Sequence, residues 1–429
     1  MRNAKRIHRR SFLAGAAGGV AAGYFTLASA ASAQPAAESV TLGVMGVNGR
    51  GAALARGFAG LPNVAVAAVC DVDERASSKC ASIVSERGAK APEMVEDFRR
   101  MLERSDIDAI VIAAPDHWHA PAGIAACNAK KHVYVEKPCS HNPQEGEWLV
   151  AAARKHDRVV SMGTQRRSWP ALIEAMRLLQ SGKIGRVLNA QAWYNNRRGS
   201  IQHGSAAPVP EWLNWDLWQG PAPRQEYRDN IVHYHWHWYW NWGTGELGNN
   251  GVHAIDLCRW GLGVDYPSRV VSSGLKLRHD DDQETPDTHV VSFEFKDALI
   301  TWLGNSWSPR GVEDNSFGAR FLGTEGSLAT LDNGYVIYDM QNKEVERNTG
   351  SGGDEVHLAD FVAAIREGRR PNADIEEGHK TTLLCNLGNI SHRIGRQLTI
   401  DPTNGHIQGD AAAAKLWARE YEEGWKPEV

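Results

Sequence analysis

The chain has almost no excess charge of either sign: 47 Lys and Arg against 51 Asp and Glu leave a formal net charge of −4. So neutral a surface offers no broad attraction to nucleic acid or anionic lipid, so neither is expected as a partner and a small neutral ligand suits it better. Cysteine is scarce, six residues at 70, 80, 127, 139, 258 and 385 with no CxxC spacing, which argues against a thiolate metal site and for free, buried thiols. Long apolar runs are missing too. Residues 14–30 are Gly- and Ala-rich with few strongly apolar side chains, too mild for a membrane anchor. No internal repeat is visible, and 429 residues at 42% hydrophobic suffice for two domains with substantial cores.

Residues 1–33 carry an export address: Arg9-Arg10-Ser11-Phe12-Leu13, the mild run, then Ala31-Ser32-Ala33 as a small-residue cleavage site. The segment looks like a twin-arginine signal. The mature protein is then expected from Gln34, folded before export to the periplasm, with no stable membrane insertion after cleavage.

From 40 to 165, short β-branched runs alternate with helical segments, the pattern of a doubly wound parallel sheet of the Rossmann type. From 166 to 400, longer strands alternate apolar with polar residues and are joined by Gly, Asn and Asp turns. They predict an α+β domain with an open, mostly antiparallel sheet. One face of that sheet needs a partner, so a homodimer or homotetramer packed through it is expected. Residues 401–429 are expected to pack on the body as a tail.

After the first strand comes Gly46-Val47-Asn48-Gly49-Arg50-Gly51, a turn that lets backbone approach a pyrophosphate at a helix N-terminus. Asn48 stands where the dinucleotide fingerprint has its second glycine. Asp71, at the tip of the second strand, lies 20 residues beyond Gly51, placed to accept the ribose hydroxyls and repel a 2′-phosphate, which favours NAD over NADP. The bland alternatives are a helix cap at Asp71 and a 2′-phosphate partner at Arg75.

Two further motifs follow strands: Ala114-Pro115-Asp116-His117-Trp118-His119 and Glu136-Lys137-Pro138. With them the chain, over about 40–396, resembles the glucose-fructose oxidoreductase / inositol dehydrogenase / rhizopine catabolism (Gfo/Idh/MocA) family. A lysine fixed at a strand end can hydrogen-bond the hydroxyl being oxidised, so Lys137 is the first catalytic candidate; a solvated surface lysine is the alternative. The resemblance implies a Lys137-Pro138 bond that is often cis. It also places Pro115, Trp118, His119, Glu136 and Gln165 with Gly46, Asn48, Gly49, Arg50 and Asp71 around a tightly held NAD, and Arg166 on the substrate side. His119 reads equally well as a structural residue at a helix start.

In Gly245-Glu246-Leu247-Gly248-Asn249-Asn250-Gly251-Val252-His253, relatives carry an acid four residues before the histidine. This chain has Asn249 there. His253 is the candidate general base, with Asp256 proposed to orient it; a satisfied core histidine is the alternative. The stretch His233 to Trp242, if extended, puts His233, His235 and His237 on one face and Tyr234, Trp236, Trp238, Trp240 and Trp242 on the other. A carbohydrate platform using His235, His237 and Trp240, and packing at an oligomer interface, are weighed nearly equally, ahead of zinc or copper; no metal is expected.

The function expected is NAD-dependent hydride transfer at a hydroxyl-bearing carbon of a sugar, polyol or glycoside. The alternatives are a glycoside hydrolase working by transient C3 oxidation and elimination, and a non-catalytic sugar-binding module.

Overall fold

The computed structural model describes residues 38–87 and 90–429; the export segment 1–33 lies outside them. All but one of the first strands are largely apolar, and together the six form a parallel sheet that is mostly buried. They are β1 (Val40–Met45), β2 (Val64–Cys70), β3 (Glu93–Val95), β4 (Ala109–Ile112), β5 (His132–Val135) and β6 (Val160–Met162), in the order β3-β2-β1-β4-β5-β6. The strand order reverses between β1 and β4, and ligands of such sheets bind at the carboxyl ends there. Strand β3 escapes the sequence pattern: it is a three-residue edge strand with no buried residue. The intervening helices include α1 (Arg50–Ala59), α2 (Glu74–Ser85), α3 (Arg99–Leu102), α4 (Asp116–Asn128) and α5 (Pro143–Lys155).

After α6 (Pro170–Gln180) the chain enters a ten-stranded sheet: β7 (Val187–Asn195), β8 (Arg269–Leu275), β9 (Thr288–Glu294), β10 (Leu299–Asn305), β11 (Phe317–Gly323), β12 (Gly326–Leu331), β13 (Gly334–Asp339), β14 (Glu344–Asn348), β15 (Leu398–Ile400) and β16 (Ile407–Gln408). Every pair in it is antiparallel except β7 with β10. One face carries Ile300, Trp302, Phe293, Phe321 and Val270, all buried. The short α7 (Trp215–Gln219) comes before α8 (Val252–Leu262), and α9 (Asp354–Glu367), on the first domain's side, before α10 (Ile375–Ile394); that buried face packs on α6, α8 and α10. On the opposite face Leu303 and Val290 are paired across β10 and β9, with Val271 and Leu275 on neighbouring β8, and all four are exposed.

The stretch expected to be extended folds differently. His235–Trp238 is a 3₁₀ turn following a cis Val232–His233 peptide, so the predicted two-faced alternation does not exist. Trp236, Trp238 and Trp242 turn inward with Trp215, Trp218, Tyr227 and Tyr239 to form a separate aromatic core. Density of aromatic side chains here outweighs strand propensity, because burying such rings is worth more than a row of sheet hydrogen bonds.

The last residues cover the first domain. Trp425 meets Trp118 edge-on at 5.2 Å, the Tyr421 hydroxyl donates to Glu145, and Arg419 donates to the Asn241 carbonyl. All six cysteines are buried and unpaired.

Candidate active site

One cleft of about 480 Å³ runs from the glycine turn after β1 to the start of α8, lined at one end by Gly46, Asn48, Gly49, Arg50 and Asp71 and at the other by Lys137, Asn249 and His253. Gly46 has φ +79°, and a Cβ there would lie 2.5 Å from the Ala114 backbone; at Gly51 a Cβ would lie 2.1 Å from the Gly46 carbonyl. Only glycine permits this turn, whose close approach a pyrophosphate needs, while Asn48 takes the middle position without positive φ. Asp71 stands at the tip of β2, accepting from Val47 N (2.7 Å) and Asp73 N (3.1 Å). Burial raises its pKa against those donors, so a further donor such as a ribose hydroxyl fits it. The helix cap is Asp73, not Asp71. Arg75 is bound to Asp73 and lies 3.8 Å over the Trp212 ring, which ties down the cation considered for a 2′-phosphate. The residues present therefore fit NAD.

The middle of the cleft is held by charge. Arg50 Nε donates to Glu136 Oε1 at 2.7 Å and its other nitrogens pair with Asp354, while Gln165, in its hydrogen-bonded orientation, accepts from Arg50. Arg50 and Glu136 thus hold the loops after β1 and β5 together beneath Lys137. Pro115 and Trp118 line the opposite wall, where Trp118 donates to the Trp218 carbonyl at 3.0 Å. His119 is clamped between two carbonyls, Pro138 O at 2.6 Å from Nδ1 and Ala114 O at 2.7 Å from Nε2. It joins the two motifs structurally although its ring also borders the cleft.

At the reacting end the Lys137–Pro138 bond is cis. Lys137 Nζ donates to the Asn249 carbonyl (2.8 Å) and Asn249 Oδ1 (2.9 Å). Burial lowers the lysine pKa, opposed by Glu136, Asp116 and Glu246. Asn249 sits in a π-turn, Leu247–Gly251, that leads into α8 and brings His253 onto the same cleft. The His253 Nδ1 is buried with no partner. Burial first, then the charges of Arg166 and Lys137, hold its pKa well below the usual value, so the ring is a neutral acceptor.

Asp256 is not behind it. That carboxylate is forked by Arg167 (2.8 and 3.1 Å from Nε, 2.8 Å from Nη2) and accepts from Thr381, all buried between helices. One helical turn would bring Asp256 near His253, but residues three apart diverge when the stronger partner, a guanidinium, lies elsewhere. His235 and Trp240 are also away from the cleft: His235 Nδ1 meets the Asn230 carbonyl, and Trp240 lines a different cavity. Arg166 does not line the cleft either; its guanidinium lies 4.1 Å over Phe317 and 4.9 Å over Trp169, with no ion pair among the described residues, and burial pulls its pKa down to about 10. His237 does reach the cleft, stacked on Trp236 and held neutral by burial, with its pKa near 3. Among the described residues no group of three His, Cys, Asp or Glu is placed to share a metal ion.

Residues that sequence reasoning passed over complete the site. Asp116 is buried beside Lys137, accepts from Thr244 Oγ1 at 2.6 Å, and has its pKa raised by burial. Glu246 is buried against Arg198 (2.6 Å) and Ser306 (3.1 Å). His233 and Tyr234, already singled out in the His- and Trp-rich stretch, also line the cleft, as does Trp218 before it. Asp116 lies inside the Ala114–His119 motif and Glu246 inside the Gly245–His253 stretch, so both had a local signal; Asp354, some three hundred residues from Arg50, had none.

A Rossmann half and a sheet-bearing half meeting over a lysine and a histidine define a two-domain dinucleotide-dependent oxidoreductase. Residues 40–164 match the oxidoreductase family's NAD-binding Rossmann fold and residues 184–427 its C-terminal alpha/beta domain. The chain belongs to the Gfo/Idh/MocA oxidoreductase family, an enzyme family, and its first domain is the NAD-binding one. Among curated relatives, a glycosyl hydrolase family 109 protein of Saccharopolyspora erythraea is 29% identical, the chain spanning less than half of it, with 45% of each covered. An alpha-N-acetylgalactosaminidase of Shewanella oneidensis is 22% identical over 87% of this chain and 90% of its own. Among solved structures, levoglucosan dehydrogenase in complex with NADH and levoglucosan has a TM-score of 0.66 at 18% identity, covering 84% of this chain and 99% of that one. The WlbA dehydrogenase of Bordetella pertussis, with NADH and UDP-GlcNAcA, also reaches 0.66 at 18%, covering 85% and 99%.

Proposed function

We propose that the cleft oxidises a hydroxyl-bearing carbon of a sugar, polyol or glycoside, using a retained NAD. The observation that carries this reading is the placement of the Lys137 ammonium and the unpartnered His253 nitrogen on one cleft with a dinucleotide cradle. When bound, nicotinamide accepts a hydride from carbon and can return it. Lys137, anchored by Asn249, donates to the substrate oxygen and favours its alkoxide, while neutral His253 accepts the hydroxyl proton. Asp116 beside Lys137 offers the buried lysine a counter-charge.

The glycosidase relatives, one matched over 87% of this chain, support a redox-neutral version as the second reading. The sugar is oxidised at C3, which acidifies its C2 proton; a base removes that proton as the aglycone leaves; water adds, and the ketone is reduced again. Purified protein should release NAD on denaturation, and a panel of sugars and glycosides then separates the two outcomes. Free aglycone without net NAD reduction marks hydrolysis; a stoichiometric keto sugar marks dehydrogenation. A protein that releases no dinucleotide and reduces none with any sugar overturns both.

The same proposal places the protein in the periplasm, exported through the twin-arginine segment, and pairs copies through the uncovered sheet face. Replacing Arg9 and Arg10 by lysine should trap a tagged chain in the cytoplasm; export unaffected by that change would refute the route.

A further inference from the structure

A second cavity of about 300 Å³ lies across the Thr244 segment from the cleft, walled by the start of α5, the Trp240–Thr244 turn, α10 and the C-terminal tail. Two arginines border it. Arg393 stands at its mouth, 5.1 Å over the Trp240 ring, and Arg419 is sunk in its wall; among the described residues neither has a carboxylate within ion-pair distance. Arg419 gives two nitrogens to the carbonyls of Glu420 and Asn241, leaving its Nη1 buried and unpartnered, and Asn386 Nδ2 is a second unpartnered donor. His141 supplies the opposite kind of group. Its Nε2 is bound to the Trp240 carbonyl, so that nitrogen carries the proton and the buried, unpartnered Nδ1 is an acceptor; burial keeps the ring neutral.

A largely desolvated guanidinium is costly when its nearest carboxylates, Glu145 for Arg419 and Glu284 for Arg393, act only from beyond ion-pair distance, and an anion supplied by a ligand offsets that cost at contact. An acceptor nitrogen and an aromatic face have no use for a bare oxyanion, but they suit hydroxyls and C–H surfaces. We propose that this cavity is a second ligand site for a small hydroxylated anion, a monosaccharide-sized acid or phosphate, separate from the NAD cleft. The occupant would touch the wall that positions the catalytic lysine's neighbour. Thr244 borders the cavity, its carbonyl accepts from Asn389 at 2.8 Å, and its hydroxyl donates to Asp116 in the cleft.

The test is thermal denaturation of the NAD-loaded full chain with gluconate, glucose 6-phosphate, glucose or sulfate, on wild type, Arg393→Gln and Arg419→Gln. The expected result is a rise in Tm of several degrees with gluconate or glucose 6-phosphate, little with glucose or sulfate, and its loss in both variants. Which acid acts more strongly separates carboxylate from phosphate. NAD recovered from each variant on denaturation, equal to wild type, shows that the fold and the cleft are intact. An equal rise with glucose, a rise that survives in both variants, or none with either acid overturns the proposal; sulfate matching gluconate marks an adventitious ion only and overturns the assignment to a sugar.

Discussion

Lys137 Nζ gives two hydrogen bonds to one residue, the carbonyl of Asn249 at 2.8 Å and its side-chain Oδ1 at 2.9 Å. An acid at position 249 would add a charge to that geometry; the amide holds the ammonium without neutralising it. Burial can therefore lower the lysine pKa, which suits an ammonium that must polarise a hydroxyl.

Lys137→Met removes that donor. Turnover should fall by about 10²- to 10⁴-fold, the usual contribution of a positioned proton donor, while NAD recovered after denaturation stays near one per chain. Unchanged turnover would refute the assigned role.

Asn249→Asp places a carboxylate against the ammonium and raises the lysine pKa. The charged form of Lys137 is present below its pKa and lost above it, so the alkaline limb of the pH–rate profile should move to higher pH. A limb that stays in place would mean that another group sets it.

Arg166→Gln removes a charge that helps to depress the His253 pKa. The neutral ring, the competent base, exists above that pKa. Raising the pKa should therefore carry the acid limb of kcat/KM to higher pH, measured with a substrate whose own ionisation is constant.

Asp256→Ala should act on stability and not on the pH profile. It strips Arg167 of its buried partner, a change that costs about 3–5 kcal/mol, visible in denaturant unfolding. A pH profile shifted with stability intact would restore Asp256 to the site.

Val290→Lys with Leu303→Lys puts two charges on the uncovered sheet face. Light scattering should show the wild type as an oligomer and the double variant at a smaller mass, with each chain still folded.

The alternation of strand and helix, the glycine turn and the acid at Asp71 were legible because they rest on local geometry: a period of two or 3.6 residues, a positive φ, a side chain at a strand tip. Lys137 was legible because the strand before it fixes where it points. The stretch from His233 to Trp242 was not, since the same pattern fits a strand or a packed turn, and only neighbours such as Trp215 and Trp218 decided between them. His235 and Trp240 were misplaced for the same reason, Asp256 because the distant Arg167 claims it, and Arg166 because it packs over Phe317 and Trp169 instead of facing the cleft.

By itself, the sequence determined the two-domain order, the NAD cradle and the lysine and histidine, because each depends on neighbours within a few residues. Only the tertiary structure decided that Asn249 anchors Lys137 through both its carbonyl and its side chain, that Arg167 claims Asp256, and that Asp354 secures Arg50. These are partnerships across tens to hundreds of residues, where burial and charge choose the partner and sequence spacing carries no information.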